Sequence, residues 1–171
     1  MFPARIALPA VLAALMLSAC GKSQEQTAEA LAEQALEAST GAEIDIEAQD
    51  GVHRVTARTD EGELVHSTGE DVPLPPGFPG DITLPADYRV VSVMTMGPAM
   101  SVVMRSPEPA AEIFSALRRG QSASGWKETL SMQGAEGSML GFEKDGRSLL
   151  VNLRDDLDGK TVVSLSLQSA N

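Results

Sequence analysis

Five dipeptides suited to tight turns, Asp50-Gly51, Glu61-Gly62, Gly97-Pro98, Asp145-Gly146 and Asp158-Gly159, divide much of the chain into short segments in which apolar and polar residues alternate. A period of two puts one set of side chains on each side of a strand, so a correct hairpin register must match apolar rows. Gly97-Pro98 permits a two-residue loop that pairs Val93 with Val102 and Val91 with Met104. Asp145-Gly146 pairs Phe142 with Leu149 and Leu140 with Val151. At the last hairpin, a two-residue loop at Asp158-Gly159 sets Val151 and Leu153 against serines. A three-residue loop of Leu157, Asp158 and left-handed Gly159 instead matches Leu153 with Val163 and Val151 with Leu165. Earlier in the chain, residues 43–48, 52–59 and 63–68 predict a small acidic meander with Ile44, Ile46, Val55 and Ala57 toward cover.

Two stretches read as helix. Residues 22–39 are rich in Ala, Glu, Gln and Leu, with Gly41 placed as a C-terminal cap. Their apolar stripe of Ala28, Leu31, Ala32, Ala35 and Leu36 is too weak for a coiled-coil seam, which favours a solvated tether. The second helix has Ser106 as cap, Pro107 at its first position, Arg118 and Arg119 at its last turn and Gly120 as its stop; Ala110, Ile113, Phe114 and Leu117 form its apolar face. Another strand then starts near Gly125-Trp126. Between residues 72 and 80 the prolines 73, 75, 76 and 79 restrict the backbone to extended forms and read as a semi-rigid spacer. The expected fold class is α+β: an antiparallel sheet with one helix packed on one face, in the order ββαββββ, preceded by a tether helix and a small β-meander.

The N-terminus constrains location. Arg5 precedes an uncharged apolar run from Ile6 to Leu17, too short to span a bilayer as a permanent helix, and Ser18, Ala19 and Cys20 follow. Leu17-Ser18-Ala19-Cys20 resembles the lipobox of bacterial lipoproteins. That resemblance implies cleavage between Ala19 and Cys20, a diacylglyceryl group on the Cys20 sulfur, and acylation (palmitate-type) of the new amine. Cys20 is the only cysteine, so no intrachain disulfide competes for it. Gly21 stands where inner-membrane retention signals often have aspartate, which favours the outer membrane, facing the periplasm, if the cell has two. The segments Ala35 to Gly41 and Phe78 to Pro85, the helix carrying Phe114 and Leu117, and Gly125-Trp126 are similar to a group of uncharacterised bacterial envelope lipoproteins. This likeness implies location and layout, not activity. The resulting division is 1–19 signal peptide, 20–40 lipidated cysteine and tether helix, 41–70 meander, 71–86 spacer and 87–171 α+β domain.

Charge narrows the partners. All 24 acids follow Cys20 while Arg5 precedes it, leaving 12 bases against 24 acids and a net of −12 after cleavage. Nucleic acid is thereby disfavoured, and so is flat adsorption on anionic headgroups, which leaves the lipid to supply membrane affinity. No catalytic constellation is legible: His53 and His66 lie in the meander, and no serine, lysine or cysteine sits in a nucleophile or phosphate motif. Asp155, Asp156 and Asp158 lack the alternation and distal glutamate of a calcium loop, and Asp60 and Glu61 read as a solvated turn.

Met94, Met96, Met100, Met104, Met132 and Met139 offer thioethers suited to Cu(I). The hairpin register turns Met100 and Met104 to the core and Met94 and Met96 away from it, so these four cannot converge. No metal or cofactor is assigned from sequence. The expected function is a non-enzymatic binding or assembly accessory, a membrane-anchored module with a possible envelope protein partner. The alternative is a copper-handling or small-ligand-binding periplasmic lipoprotein. One helix covers one side of the sheet, so the opposite side, with Met94, Met96, Val103, Leu150 and Val162, is the candidate interaction face, open to the chain's own meander or to a partner.

Replacing Cys20 by Ala should leave an uncleaved or mislocalised precursor without lipid. Mass spectrometry of the wild-type N-terminus should find an acylated Cys20 as the first residue; an unmodified start at any other position contradicts the assignment.

Overall fold

The computed structural model describes residues 21–60 and 62–169; the signal segment with Ala19 and Cys20 lies outside them. The elements in order are α1 (Gly21–Thr40), β1 (Glu43–Gln49), β2 (Val52–Thr59), β3 (Gly62–Gly69), β4 (Arg89–Met96), β5 (Ala99–Ser106), α2 (Ala110–Ala123), β6 (Lys127–Gly134), β7 (Gly137–Lys144), β8 (Arg147–Asp155) and β9 (Thr161–Ser169). All nine strands form one antiparallel sheet in the order β1-β2-β3-β4-β5-β9-β8-β7-β6.

This corrects the expected fold. The ββαββββ unit with α2 on one face is present, but the meander is not a separate body beside it. Strand β3 pairs with β4 over five positions, Leu64 with Met96 through Thr68 with Ser92. A free three-stranded meander would leave a long exposed edge at β3, whereas pairing with β4 satisfies that row of amides and carbonyls. Residues 71–86 make it possible by leaving the sheet after β3 and returning to β4 at its side.

Those residues also do more than space the chain. Val72 donates its amide to the Val90 carbonyl at 2.8 Å, Val72 and Ile82 are buried, and Leu74, Phe78 and Leu84 pack against the same core. They form a strap beside α2. Together these cover the sheet face bearing Val90, Val93, Val102, Met104, Leu140, Phe142, Leu149, Val151, Leu153, Val163 and Leu165. From α2 come Ile113, Phe114 and Leu117, all buried.

Three hairpin registers agree with the alternation of the sequence: Val93 with Val102, Phe142 with Leu149, and Leu153 with Val163. In the last, Asp156 donates its amide to Lys160 across the three-residue loop, and Gly159 has φ +72°. One pairing differs. Met104 faces Val90, not Val91, because a bulge between Val90 and Ser92 shifts the register. The bulge lets both Val90 and Val93, three residues apart, enter the core, which a regular strand cannot do.

Helix α2 also differs at both ends. Ser106 is buried at the end of β5, where its hydroxyl accepts the Glu108 amide at 3.1 Å. Pro109 holds Glu108 away from helical backbone, so the helix starts at Ala110. Its end is a Schellman closure: Gly125, at φ +84°, donates to the Ser122 carbonyl, and Trp126 donates to that of Gln121. Gly120 sits inside the helix. A Cβ there would lie 2.5 Å from the Thr83 side chain, so its role is to let the strap approach. Beside it, buried Gln121 donates to the Thr83 carbonyl at 3.0 Å and accepts the Thr83 amide at 3.3 Å, so both its amide nitrogen and its oxygen are bonded to the strap.

The two outer strands are β1 and β6. Helix α1, expected to be a solvated tether, lies against β1. Glu37 accepts the Ile44 amide at 3.1 Å and Glu33 accepts the Ile46 amide at 2.7 Å. One helical turn between glutamates advances about 6 Å and two strand residues about 6.8 Å, so the carboxylates match alternate outward amides of the edge. Gly41, whose amide returns to the Glu37 carbonyl at 2.8 Å, makes the reversal between helix and strand. Among the described residues, no helix is long and apolar enough to cross a membrane.

Candidate functional site

The side of the sheet away from α2 and the strap has no covering layer among the described residues. Tracing the register across it gives two neighbouring rows. One runs His66, Met94, Ser101, Ser166, Leu150, Gly141, Leu130; the other runs Thr68, Ser92, Val103, Ser164, Asn152, Met139, Met132. Neither row contains Asp, Glu, Lys or Arg, although the chain carries a formal net charge of −11. An uncharged, partly apolar band on so acidic a protein departs from what a solvated sheet face requires.

All five residues of the sequence-predicted interaction face are on this side. Met94, Met96 and Leu150 line a shallow trough of about 510 Å³, together with Leu130, Ser101, Ser166 and Gly141. Its floor is low because three neighbours across the strands are Ser, Ser and Gly. A Cβ on Gly141 would sit 2.9 Å from that of Leu130, so the bulge in β6 and the missing side chain go together. Val103 is half-buried in the second row, and Val162 lies one row further on, opposite Arg105 and Arg154. Leu130 and the β3 residues were not legible as part of the face, because their places depend on a bulge in β6 and on a strand pairing that alternation alone does not reveal; Gly141 follows from the β7–β8 register but, lacking a side chain, carries no apolar signal. The meander does not fold back over the face but extends it edgewise.

Other sequence candidates resolve into structural roles. Met104 is buried and Met100 packs on the core, while Met94 and Met96 are 39% and 57% exposed on the open face. Asp156 pairs with Arg105 at 3.1 Å and accepts the Leu157 amide at 2.6 Å, so its carboxylate serves the hairpin end. Glu61 lies outside the described residues, and Asp60 is an exposed turn residue. His53 is exposed on β2 opposite Thr68. His66 meets Ser92, with 3.0 Å between Nε2 and Oγ. Among the described residues no carboxylate hydrogen-bonds to that imidazole, so the pair lacks the orienting third group of a nucleophilic triad. No group of three or more His, Cys, Asp and Glu among the described residues could hold a metal ion.

The most perturbed ionisable group is on the opposite side. Asp81, in the strap, accepts hydrogen bonds from Arg147 at 2.8 and 3.0 Å and from Lys144 at 2.7 Å. Those bonds, that to Arg147 foremost, hold its carboxyl well below the usual carboxylate range, and they raise Arg147 in turn. Arg147 also stacks over Trp126, 4.8 Å from the ring centroid, and the indole donates to the Asp81 carbonyl at 3.1 Å. Lys144 reaches the Ser124 carbonyl at 2.7 Å. Every member has a partner within the fold, so the cluster is a clamp that fastens the strap to the α2 terminus and the β7–β8 hairpin.

Comparison of the chain with family models, with curated proteins and with solved structures finds no match in any of the three. The class that fold and site define is a one-sided antiparallel sheet with a helix and strap on one face and, on the other, two uncharged rows beside a largely apolar trough that one carboxylate, Glu143, also lines.

The Asp81 clamp has a pH signature. Its folded-state pKa is depressed, so its stabilisation is present above the unfolded value of about 3.9 and is lost as pH falls further. Asp81→Asn should lower the urea midpoint at pH 6 to 7, and the gap to wild type should narrow progressively below pH 4. A gap that is constant from pH 7 to pH 3 contradicts the clamp.

Proposed function

We propose that the chain is a membrane-anchored envelope lipoprotein, held through lipid on Cys20, that acts as a non-enzymatic binding or assembly accessory. The open face is its docking surface for an envelope protein. One observation carries this reading: across the middle of the sheet two whole rows of side chains are free of charge, while the rest of the chain is strongly acidic. Isolated exposed apolar residues need no explanation, but two adjacent uncharged rows bordering a largely apolar trough fit a surface that is covered in use.

Further support comes from the join between anchor and sheet. Helix α1 begins at Gly21, one residue after the proposed lipid site, and its glutamates hold the edge of β1. The anchor is thus coupled to the sheet through a docked helix. Gly21 in place of aspartate supports placement in the outer membrane, facing the periplasm, if the cell has two membranes.

The double substitution Met94→Glu with Leu150→Glu puts two charges on exposed positions of the trough and leaves the core untouched. In living cells the variant should fold and localise as wild type does, while in vivo crosslinks to its partner disappear. Unchanged crosslinks from a correctly localised variant would mean that the face is idle.

A further inference from the structure

Pairing β3 with β4 sets a histidine among the two most exposed methionines of the sheet's central strands. His66 is directly opposite Met94, and Leu64, two residues earlier, is opposite Met96. His66, Met94 and Met96 therefore share the open face. Directly opposed Cβ atoms lie about 5 Å apart and diagonal neighbours about 7 to 8 Å apart, within reach of two flexible thioethers and an imidazole. From this juxtaposition we propose a surface site for a soft monovalent metal, Cu(I), with the Met94 and Met96 sulfurs and one His66 ring nitrogen as ligands. This goes beyond the docking role and does not depend on it.

The chemistry of the donors selects the ion. Thioethers favour Cu(I), imidazole is a common copper ligand, and no carboxylate shares the cross-strand row of His66 and Met94 to favour a hard divalent cation. His66 is half-buried and its Nε2 meets Ser92 Oγ at 3.0 Å. A histidine ligand characteristically has its second nitrogen held by such an outer partner, which fixes the ring and leaves Nδ1 to coordinate. Exposure completes the argument. Core filling, the ordinary use of methionine, accounts for Met104 at 0% exposure but not for Met96 at 57%. The net negative charge of the chain also raises the local concentration of any cation.

The test uses the purified protein, with the Cys20 thiol of any molecule that carries no lipid alkylated so that it cannot bind metal. Cu(I) held by a chromophoric chelator is titrated with protein under reducing conditions, and the titration is repeated with redox-inert Ag(I). The expected result is one ion per chain, with affinity falling about ten-fold or more in each of Met94→Leu, Met96→Leu and His66→Ala, and unchanged in Met100→Leu and Met132→Leu. Leucine preserves the apolar surface, so Met94→Leu and Met96→Leu should keep the partner crosslinks of the docking face, which separates the two readings. Thermal midpoints check folding; if His66→Ala unfolds, Met96→Leu decides, since that side chain is largely exposed. No competition with the chelator, binding that survives both Met94→Leu and Met96→Leu, or equal loss in Met132→Leu overturns the site.

Discussion

The backbone pairing of β3 with β4 is the contact on which the rest of the structure depends. Without it there would be a six-stranded layer and a loose meander, each with an open edge. With it there is one sheet whose outer strands are β1 and β6. The exposed edge is thereby moved to β1, where Glu33 and Glu37 of α1 stand in for the carbonyls of a missing neighbour strand. The same pairing draws the proline-rich residues inward. Running from β3 back to β4 at the side of the sheet, they bring Val72 and Ile82 into the core and Asp81 to Arg147 and Lys144.

A nine-stranded sheet is too wide for one fourteen-residue helix to cover. Helix α2 packs on β6, β7 and β8, and the strap completes the layer toward β4. Everything that seals the core is therefore on one side. The other side inherits whatever the alternation leaves over, here methionine, serine, valine and leucine without a charge in the two central rows. The opposite face is consumed by packing, and its perturbed charges are all paired.

Local signals carried much of the fold. Asp145-Gly146 and the loop around Gly159 fixed apolar rows that the structure reproduces, since a one-residue slip would have turned Phe142 or Leu153 to water. What failed were features set by contacts distant in the chain. Gly120 looked like a helix stop, but its lack of a side chain answers to Thr83. The bulge at Val91 answers to the need for both Val90 and Val93 in the core. Prolines that resembled a divider between domains serve a strap, because a chain unable to form helix or ladder can still bury its valine, isoleucine and phenylalanine between such residues. The candidate face was half legible: Met94, Met96 and Leu150 followed from register, whereas Leu130 required the bulge in β6 and His66 the long-range pairing of β3 with β4.

The claim that a single sheet runs through β3 and β4 is open to one direct measurement, native-state amide hydrogen exchange resolved by residue. If it holds, the ladder amides of residues 64–68 and 92–96 exchange with similarly high protection, and both are lost in the same cooperative opening as β5 and β9. Exchange of residues 64–68 near the rate of unstructured chain, while β5 and β9 remain protected, would contradict the account.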